Sequence, residues 1–267
     1  MANAVNTKKA SSQKSSQITK KFKERLQITH LLMDLDGTLV GAKDFPVTID
    51  FLKRTLPEMK RHGTWLDTLR AVRAMHEELQ TPSKMFTNNV RATRAFADSM
   101  GITFEKADQF LTKTLTTHFP LLERHFFPIP GAEKFLSWAK DYYPLILATN
   151  PVWKEDIVKL RIKWANLDPL LFQSMTHSEK MHACKPSAEY YREILEQEGL
   201  SPGQCMLIGN DPKKDLPAAL VGIPVFILTN SKVMEQLVLK GQTAPAWAGS
   251  FLHVESLLLS HHKNGRP

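Results

Sequence analysis

Apolar residues run almost unbroken through Ile28-Thr29-His30-Leu31-Leu32-Met33. They do so again in residues 144–150, 171–177, 204–210 and 224–230. Short runs without polar alternation suit strands buried on both faces of a parallel sheet. Between them, apolar positions recur every three or four residues over Ala132–Asp141, Lys154–Leu167, Ser187–Glu198 and Leu216–Val221, which predicts helices. Strands alternating with helices imply right-handed crossovers and a three-layer, doubly wound α/β sheet. After the last of these strands, Phe251–Leu259 is expected to cover a sheet edge and residues 260–267 to fray.

The stretch 44–128 breaks this rhythm. Its apolar residues keep helical spacing over Asp50–Lys60, Gly63–Gln80, Val90–Met100 and Ala107–His118, with weak strand signals. Some 110 residues separate Thr38 from Thr149, far more than one crossover requires. The pattern predicts an inserted α-helical cap at 44–128, with hinges near 41–46 and 126–131, on a core of 28–43 and 129–267. Trp65, Met85 and Phe86 are expected in the cap's own core. Its Arg70, Arg73, Arg91 and Arg94 are candidates for a second anionic group of a substrate.

Charge alters the picture at one end only. The net charge is +8, and residues 1–25 hold seven Lys and Arg against Glu24 alone. Six of the eight charges therefore sit in a Ser-, Lys- and Gln-rich tail, and the rest of the chain is near neutral. Such a tail is expected to be disordered over residues 1–27. Nucleic acid is expected as a partner only through it. No run of about 18 apolar residues predicts a membrane span. Cys184 and Cys205 are too few for a disulfide framework. These features point to the cytoplasm.

The polar residues of interest fall where strands end, the ligand-binding edge of open α/β sheets. The first strand runs into Asp34-Leu35-Asp36-Gly37-Thr38. Two carboxylates two residues apart repel unless something positive neutralises them. The second ends in Thr149-Asn150, and the fourth in Gly209-Asn210-Asp211-Pro212-Lys213-Lys214-Asp215. Between them Lys185-Pro186 precedes a helix capped by Ser187. Lys185 and a divalent cation would neutralise Asp34, Asp36 and either Asp211 or Asp215. Cys184, next to Lys185, is a candidate for a lowered thiol pKa or for simple packing. His30 is expected in the core or at an edge, and His177 and His182 lack ligand spacing.

In that order, these motifs resemble the haloacid dehalogenase superfamily of hydrolases with a helical, C1-type cap. The likeness covers about residues 28–230, and "ATNP" through "GNDPKKDLPAA" is also similar to a bacterial subgroup that brings no substrate with it. The resemblance implies Asp34 as nucleophile, Asp36 as general acid/base, Thr149 as phosphoryl holder and Lys185 as the stabilising cation. It implies Mg2+ on Asp34, Asp36 and an acid of the last motif, with Asp215 in support. Gly37, Thr38, Asn150 and Asn210 fall at the phosphate site. Many members carry Asp directly after the glycine where this chain has Asn210. Asp211 and Asn210 thus compete for one metal slot, and the preference of Mg2+ for carboxylate favours Asp211.

The resemblance also implies that dehalogenases lack an acid at position 36. Asp36 therefore favours phosphate esters, whose leaving alkoxide needs a proton. The expected activity is a Mg2+-dependent phosphohydrolase acting through an aspartyl-phosphate on a small phosphorylated metabolite. The alternatives are a phosphonatase, a nucleotidase, or a non-catalytic regulatory module whose basic tail binds RNA or a partner.

Overall fold

The computed structural model describes residues 27–59, 63–230 and 246–265, so the basic tail lies outside the described residues. Six parallel strands form the main sheet: β1 (His30–Met33), β4 (Leu145–Leu147), β5 (Phe172–Met175), β6 (Cys205–Gly209), β7 (Val225–Leu228) and β8 (Ala246–Gly249). Their spatial order is β5-β4-β1-β6-β7-β8. The sheet thus grows outward in both directions from β1, which pairs Leu31 with Leu145 on one side and with Met206 on the other. That reversal puts the end of β1 at the crevice where doubly wound sheets bind ligands.

Strand alternation divides the core into two apolar layers. Leu31, Met33, Leu145, Leu147, Met206 and Ile208 face α5 (Ala132–Ala139), α6 (Glu155–Trp164) and α9 (Phe251–Gly265). Leu32, Ile146, Leu207, Val225 and Ile227 face α7 (Ala188–Glu198), where Tyr190 and Tyr191 are fully buried. Two features depart from the expectation. β8 reads Ala-Trp-Ala-Gly, with no β-branched residue to mark a strand. The last helix continues to Gly265, six residues past the end of the apolar pattern at Leu259.

The expected hinges are a two-stranded antiparallel ribbon. β2 (Val40–Ala42) pairs with β3 (Phe126–Pro128), and Lys43 N donates to His125 O at 2.9 Å. Three residues each are too few to show a period. Beyond the ribbon lie α1 (Asp44–Met59), α2 (Trp65–Glu78), α3 (Asn88–Met100) and α4 (Phe104–His118). α1 starts six residues before the expected Asp50. Ala71, Phe96, Ala97 and Ala107 make a small separate core, with the Phe96 and Phe110 rings stacked 5.6 Å apart. Trp65 and Met85, expected inside it, are exposed.

The helical insert is fastened to the α/β body away from the ribbon as well. Asn88, at the start of α3, donates Nδ2 to the carbonyls of Pro151 (3.3 Å) and Ala183 (3.2 Å). Asn88 N donates to Met181 O at 2.8 Å, and Lys154 Nζ reaches Thr112 Oγ1 at 2.8 Å. One cap amide therefore ties the loop after β4 to the loop that carries Lys185.

Candidate active site

The loop after β1 turns sharply at Gly37, whose φ is +79°. A side chain there would be strained, and its Cβ would lie 2.2 Å from Asn210 Nδ2. Glycine thus lets the first and fourth strand ends close on one another. Thr38 Oγ1 sits between them, 3.0 Å from Asp34 Oδ2 and 3.2 Å from Asn210 Oδ1.

Lys185 enters from the opposite side. Its main-chain N donates to Asn150 Oδ1 at 3.1 Å, which joins the second and third strand-end loops. Its Nζ lies 2.7 Å from Asp34 Oδ1 and 2.7 Å from Asp215 Oδ1, and its side chain is 1% exposed. Burial acts to lower the Lys185 pKa, but Asp34 and Asp215 outweigh it and hold the ammonium well above its ordinary value. Burial lifts the Asp215 carboxyl against the pull of Lys185. Asp215 Oδ2 also accepts from Asp211 N at 3.0 Å.

Asp34, Asp36, Gly37, Asn150 and Lys185 line one cavity of about 550 Å³. Asn210, Asp211 and Asp215 line it too. Thr38 and Thr149 are buried. Thr149 Oγ1 is buried with no hydrogen-bond partner, while its carbonyl accepts from Thr176 Oγ1 and Tyr190 Oη, each at 2.7 Å. Thr149 itself is fully buried behind the cavity lining, next in the chain to Asn150. The Asp211 carboxylate is engaged elsewhere. It caps the short helix Pro212–Asp215 by accepting from Lys213 N at 2.9 Å, with Lys214 Nζ at 3.6 Å.

Asp36 meets a cation that sequence reasoning missed. Arg161, on α6, contacts the Asp36 carboxylate through Nη2. The arginine is 4% exposed and Asp36 50%. Burial lowers the Arg161 pKa to about 10, against the pull of Asp34, so the guanidinium remains charged at neutral pH. A signal for it exists in the sequence. Arg161 falls three and four residues after Val158 and Ile157, on the buried face of its helix.

The cap arginines do not line the cavity. Arg70 pairs with Asp67 at 3.1 Å and Arg73 with Glu77 at 2.7 Å. Arg94 lies over the Phe86 ring at 3.9 Å. Arg91 is buried, bonded to Glu78 and to the His182 carbonyl at 3.1 Å. The Cys184 thiol is not activated by its neighbour: burial pushes its pKa up to about 12, with Arg91 pulling the other way and Glu193 adding to the rise. His182 Nδ1 is 2.8 Å from Glu193 Oε1, and His30 is half-buried beside Thr29.

The model of the haloacid dehalogenase-like hydrolases matches residues 28–222. The chain belongs to that family. It is therefore a hydrolase. No curated protein matches the chain. Its fold is similar to a 2-haloacid dehalogenase from Pseudomonas syringae pv. tomato DC3000, at 16% identity, a TM-score of 0.57 and coverage of 87% of this chain and 98% of that one. An HAD phosphatase from Thermococcus onnurineus aligns at 16% identity and TM-score 0.53, covering 86% and 98%. A predicted phosphoglycolate phosphatase from Haemophilus somnus 129PT aligns at 17% and 0.52, covering 88% and 99%. At these identities the likeness concerns the fold. Among the described residues no helix is long and apolar enough to cross a membrane.

The donors fit the Mg2+ that this fold implies. They are all oxygens: the Asp34 carboxylate, the Asp36 main-chain carbonyl and the Asn210 amide oxygen. Among the described residues no three His, Cys, Asp or Glu side chains form a closed metal cage. Mg2+ needs none, taking one or two carboxylates together with water and phosphate. The charge balance points the same way. Among the described residues the cavity lining holds five carboxylates, those of Asp34, Asp36, Asp44, Asp211 and Asp215, against the ammonium groups of Lys185 and Lys214 and the Arg161 guanidinium behind Asp36. A phosphate dianion entering alone would meet that excess of negative charge.

Proposed function

We propose that this protein is a Mg2+-dependent phosphomonoester hydrolase acting through an aspartyl-phosphate on a small substrate. The observation that carries the reading is the pairing of Asp34 with Lys185 at 2.7 Å beside a second, half-exposed carboxylate on Asp36. A dehalogenase has no use for the second acid, because halide leaves without a proton. An alkoxide does not.

Asp34 attacks phosphorus, and the bond from phosphorus to the leaving oxygen breaks. Asp36 gives that oxygen its proton. A water then attacks the phosphoryl group while Asp36 takes one of its protons, and the bond from phosphorus to Asp34 breaks, releasing inorganic phosphate. Lys185 and Thr38 each address one oxygen of Asp34 and fix its orientation. The Thr149 hydroxyl and the Asn150 amide hold phosphoryl oxygens. Bound Mg2+ supplies charge neutralisation at the phosphoryl group. Asp34, the Asp36 carbonyl and the Asn210 amide oxygen would hold it, with Asp215 behind them. Asn210 is preferred to Asp211 here, because Asp211 caps a helix whereas Asn210 shares the Thr38 hydroxyl with Asp34.

The test is phosphate release from phenyl phosphate with Mg2+ and with chelator, in wild type and Asp34→Asn. Wild type should need Mg2+, and the variant should lose at least roughly a thousandfold in kcat, since asparagine is a poor nucleophile of the same shape. Turnover by Asp34→Asn, or halide release from a 2-haloacid without phosphatase activity, sinks the proposal.

A further inference from the structure

Resting on that reading, we infer that the leaving group of the substrate is an alcohol with an apolar, ring-bearing body and no second phosphate or carboxylate. Beyond the reacting groups, the cavity wall is built by the ribbon and the residues after it. Val40, Ala42, Phe127 and Ile129 supply an apolar shelf. Phe127 lies directly on bare backbone: a Cβ on Gly41 would come within 2.3 Å of its ring. Phe127 as a residue is nonetheless 42% exposed and lines the cavity, so it is held against the strand while staying open to a ligand. An exposed aromatic ring fixed over a glycine is a stacking surface with little entropy left to lose.

Charge around the shelf excludes an anionic leaving group. Outside the reacting centre, Asp44 and Asp211 line the cavity against one ammonium, that of Lys214, which already lies 3.6 Å from Asp211. The four cap arginines that would read a second anion are turned to Asp67, Glu77, Glu78 and Phe86. A second phosphate or a carboxylate would therefore face Asp44 with no cation of its own among the described residues. A neutral or cationic alcohol would not. A volume of about 550 Å³ is that of an ordinary small-molecule site and leaves room for one ring beside the phosphoryl group.

Four probes test this: phenyl phosphate, 4-carboxyphenyl phosphate, 2-aminoethyl phosphate and carboxymethyl phosphate, all with Mg2+. Turnover is measured with wild type, and binding by calorimetry with Asp34→Asn as a non-reacting trap. Phenyl phosphate should exceed its carboxylated analogue at least tenfold in both measurements, and 2-aminoethyl phosphate should exceed carboxymethyl phosphate. Asp44→Asn should narrow both gaps. Phe127→Ala should raise KM for phenyl phosphate severalfold and leave 2-aminoethyl phosphate nearly unchanged. Equal or better binding of the carboxylated probes overturns the inference, whatever their turnover. The expected ranking in binding without turnover of any probe would instead overturn the phosphatase reading and leave the ligand class standing.

Discussion

Asp34 and Asp36 stand two residues apart and meet opposite conditions. The Asp34 side chain is 10% exposed, accepts from Thr38 and lies against the buried Lys185 ammonium. Asp36 is half in solvent and backed by Arg161. Each aspartate meets a different buried cation, Lys185 or Arg161, delivered from a different part of the core. The difference suits the two jobs that the proposed mechanism gives them. A nucleophile must be held still and dry, because misplacement by an ångström costs orders of magnitude in rate. A proton carrier must reach the leaving group and then water, so it cannot be enclosed. The chain achieves this by turning at Gly37, immediately after Asp36, which leaves the first carboxylate under the sheet edge and the second at its lip.

The largest effect is expected on the enclosed side. Lys185→Met should abolish turnover and also destabilise the protein by roughly 3–5 kcal/mol, because the Asp34 and Asp215 carboxylates are left buried without their shared cation. Adding Asp215→Asn to that variant removes one of the two uncompensated charges. The double variant should recover part of the lost thermal stability and none of the activity. If Lys185→Met alone melts like wild type, the ammonium does not bear the charge of both acids, and the enclosed half of the comparison fails.

The open side should respond differently. Arg161→Met keeps the length of the side chain and removes the cation that fixes Asp36. With an alkyl phosphate, whose leaving oxygen needs a proton, kcat should fall roughly 10- to 100-fold. With 4-nitrophenyl phosphate, whose phenolate leaves unaided, the loss should be only about threefold. Arg161→Lys should recover part of the alkyl phosphate rate. Equal losses on both substrates would mean that Arg161 supports the fold and has no hold on the proton carrier.

What the chain revealed in advance divides along the same line. Strands β1, β4, β6 and β7 were legible because buried parallel strands are short apolar runs, and the polar residues at their ends were legible because the edge of such a sheet is where ligands bind. Asp34 could be named from such an end, Lys185 from the Lys-Pro step before a capped helix, and the last acid only as Asp211 or Asp215. The partner of Asp36 was missed, because Arg161 lies mid-helix, where a charged residue usually marks the solvent face, and only its spacing from Ile157 and Val158 puts it on the buried one. The ribbon β2–β3 was read as hinges, because two strands of three residues carry no detectable period. The cap arginines were offered as substrate contacts, yet each has a partner within the protein. Three lie on surfaces where i,i+3 or i,i+4 pairing or an aromatic face is nearer than any ligand. The proposed preference for Asn210 over Asp211 rests on Asp211 capping the following helix, a matter of one turn's geometry that residue type alone does not reveal.

The smallest effect concerns a second pair of neighbours. Cys184 and Lys185 are adjacent, yet Lys185 points into the site while Cys184 points away, packed with Leu79 and Ala92 and 3.4 Å from Asn88 Nδ2. Adjacency in the chain therefore does not activate the thiol. Burial pushes Cys184 up to about 12, and it does the same to Cys205, with Glu198 adding to the rise. These are the chain's two cysteines. Neither should react with a disulfide reagent at pH 8 in the native protein, and both should react once it is unfolded. The sign of the pH effect follows. A thiol whose folded pKa lies above its unfolded value of 9.0 favours the folded state fully below pH 9, and that contribution is lost as pH rises toward about 12. Cys184→Ala should therefore flatten the alkaline decline of thermal stability between those limits, while changing kcat less than about twofold at pH 7. Rapid labelling of one thiol in the native protein would show that the residue beside Lys185 is open to the site, and the contrast between these neighbours would collapse.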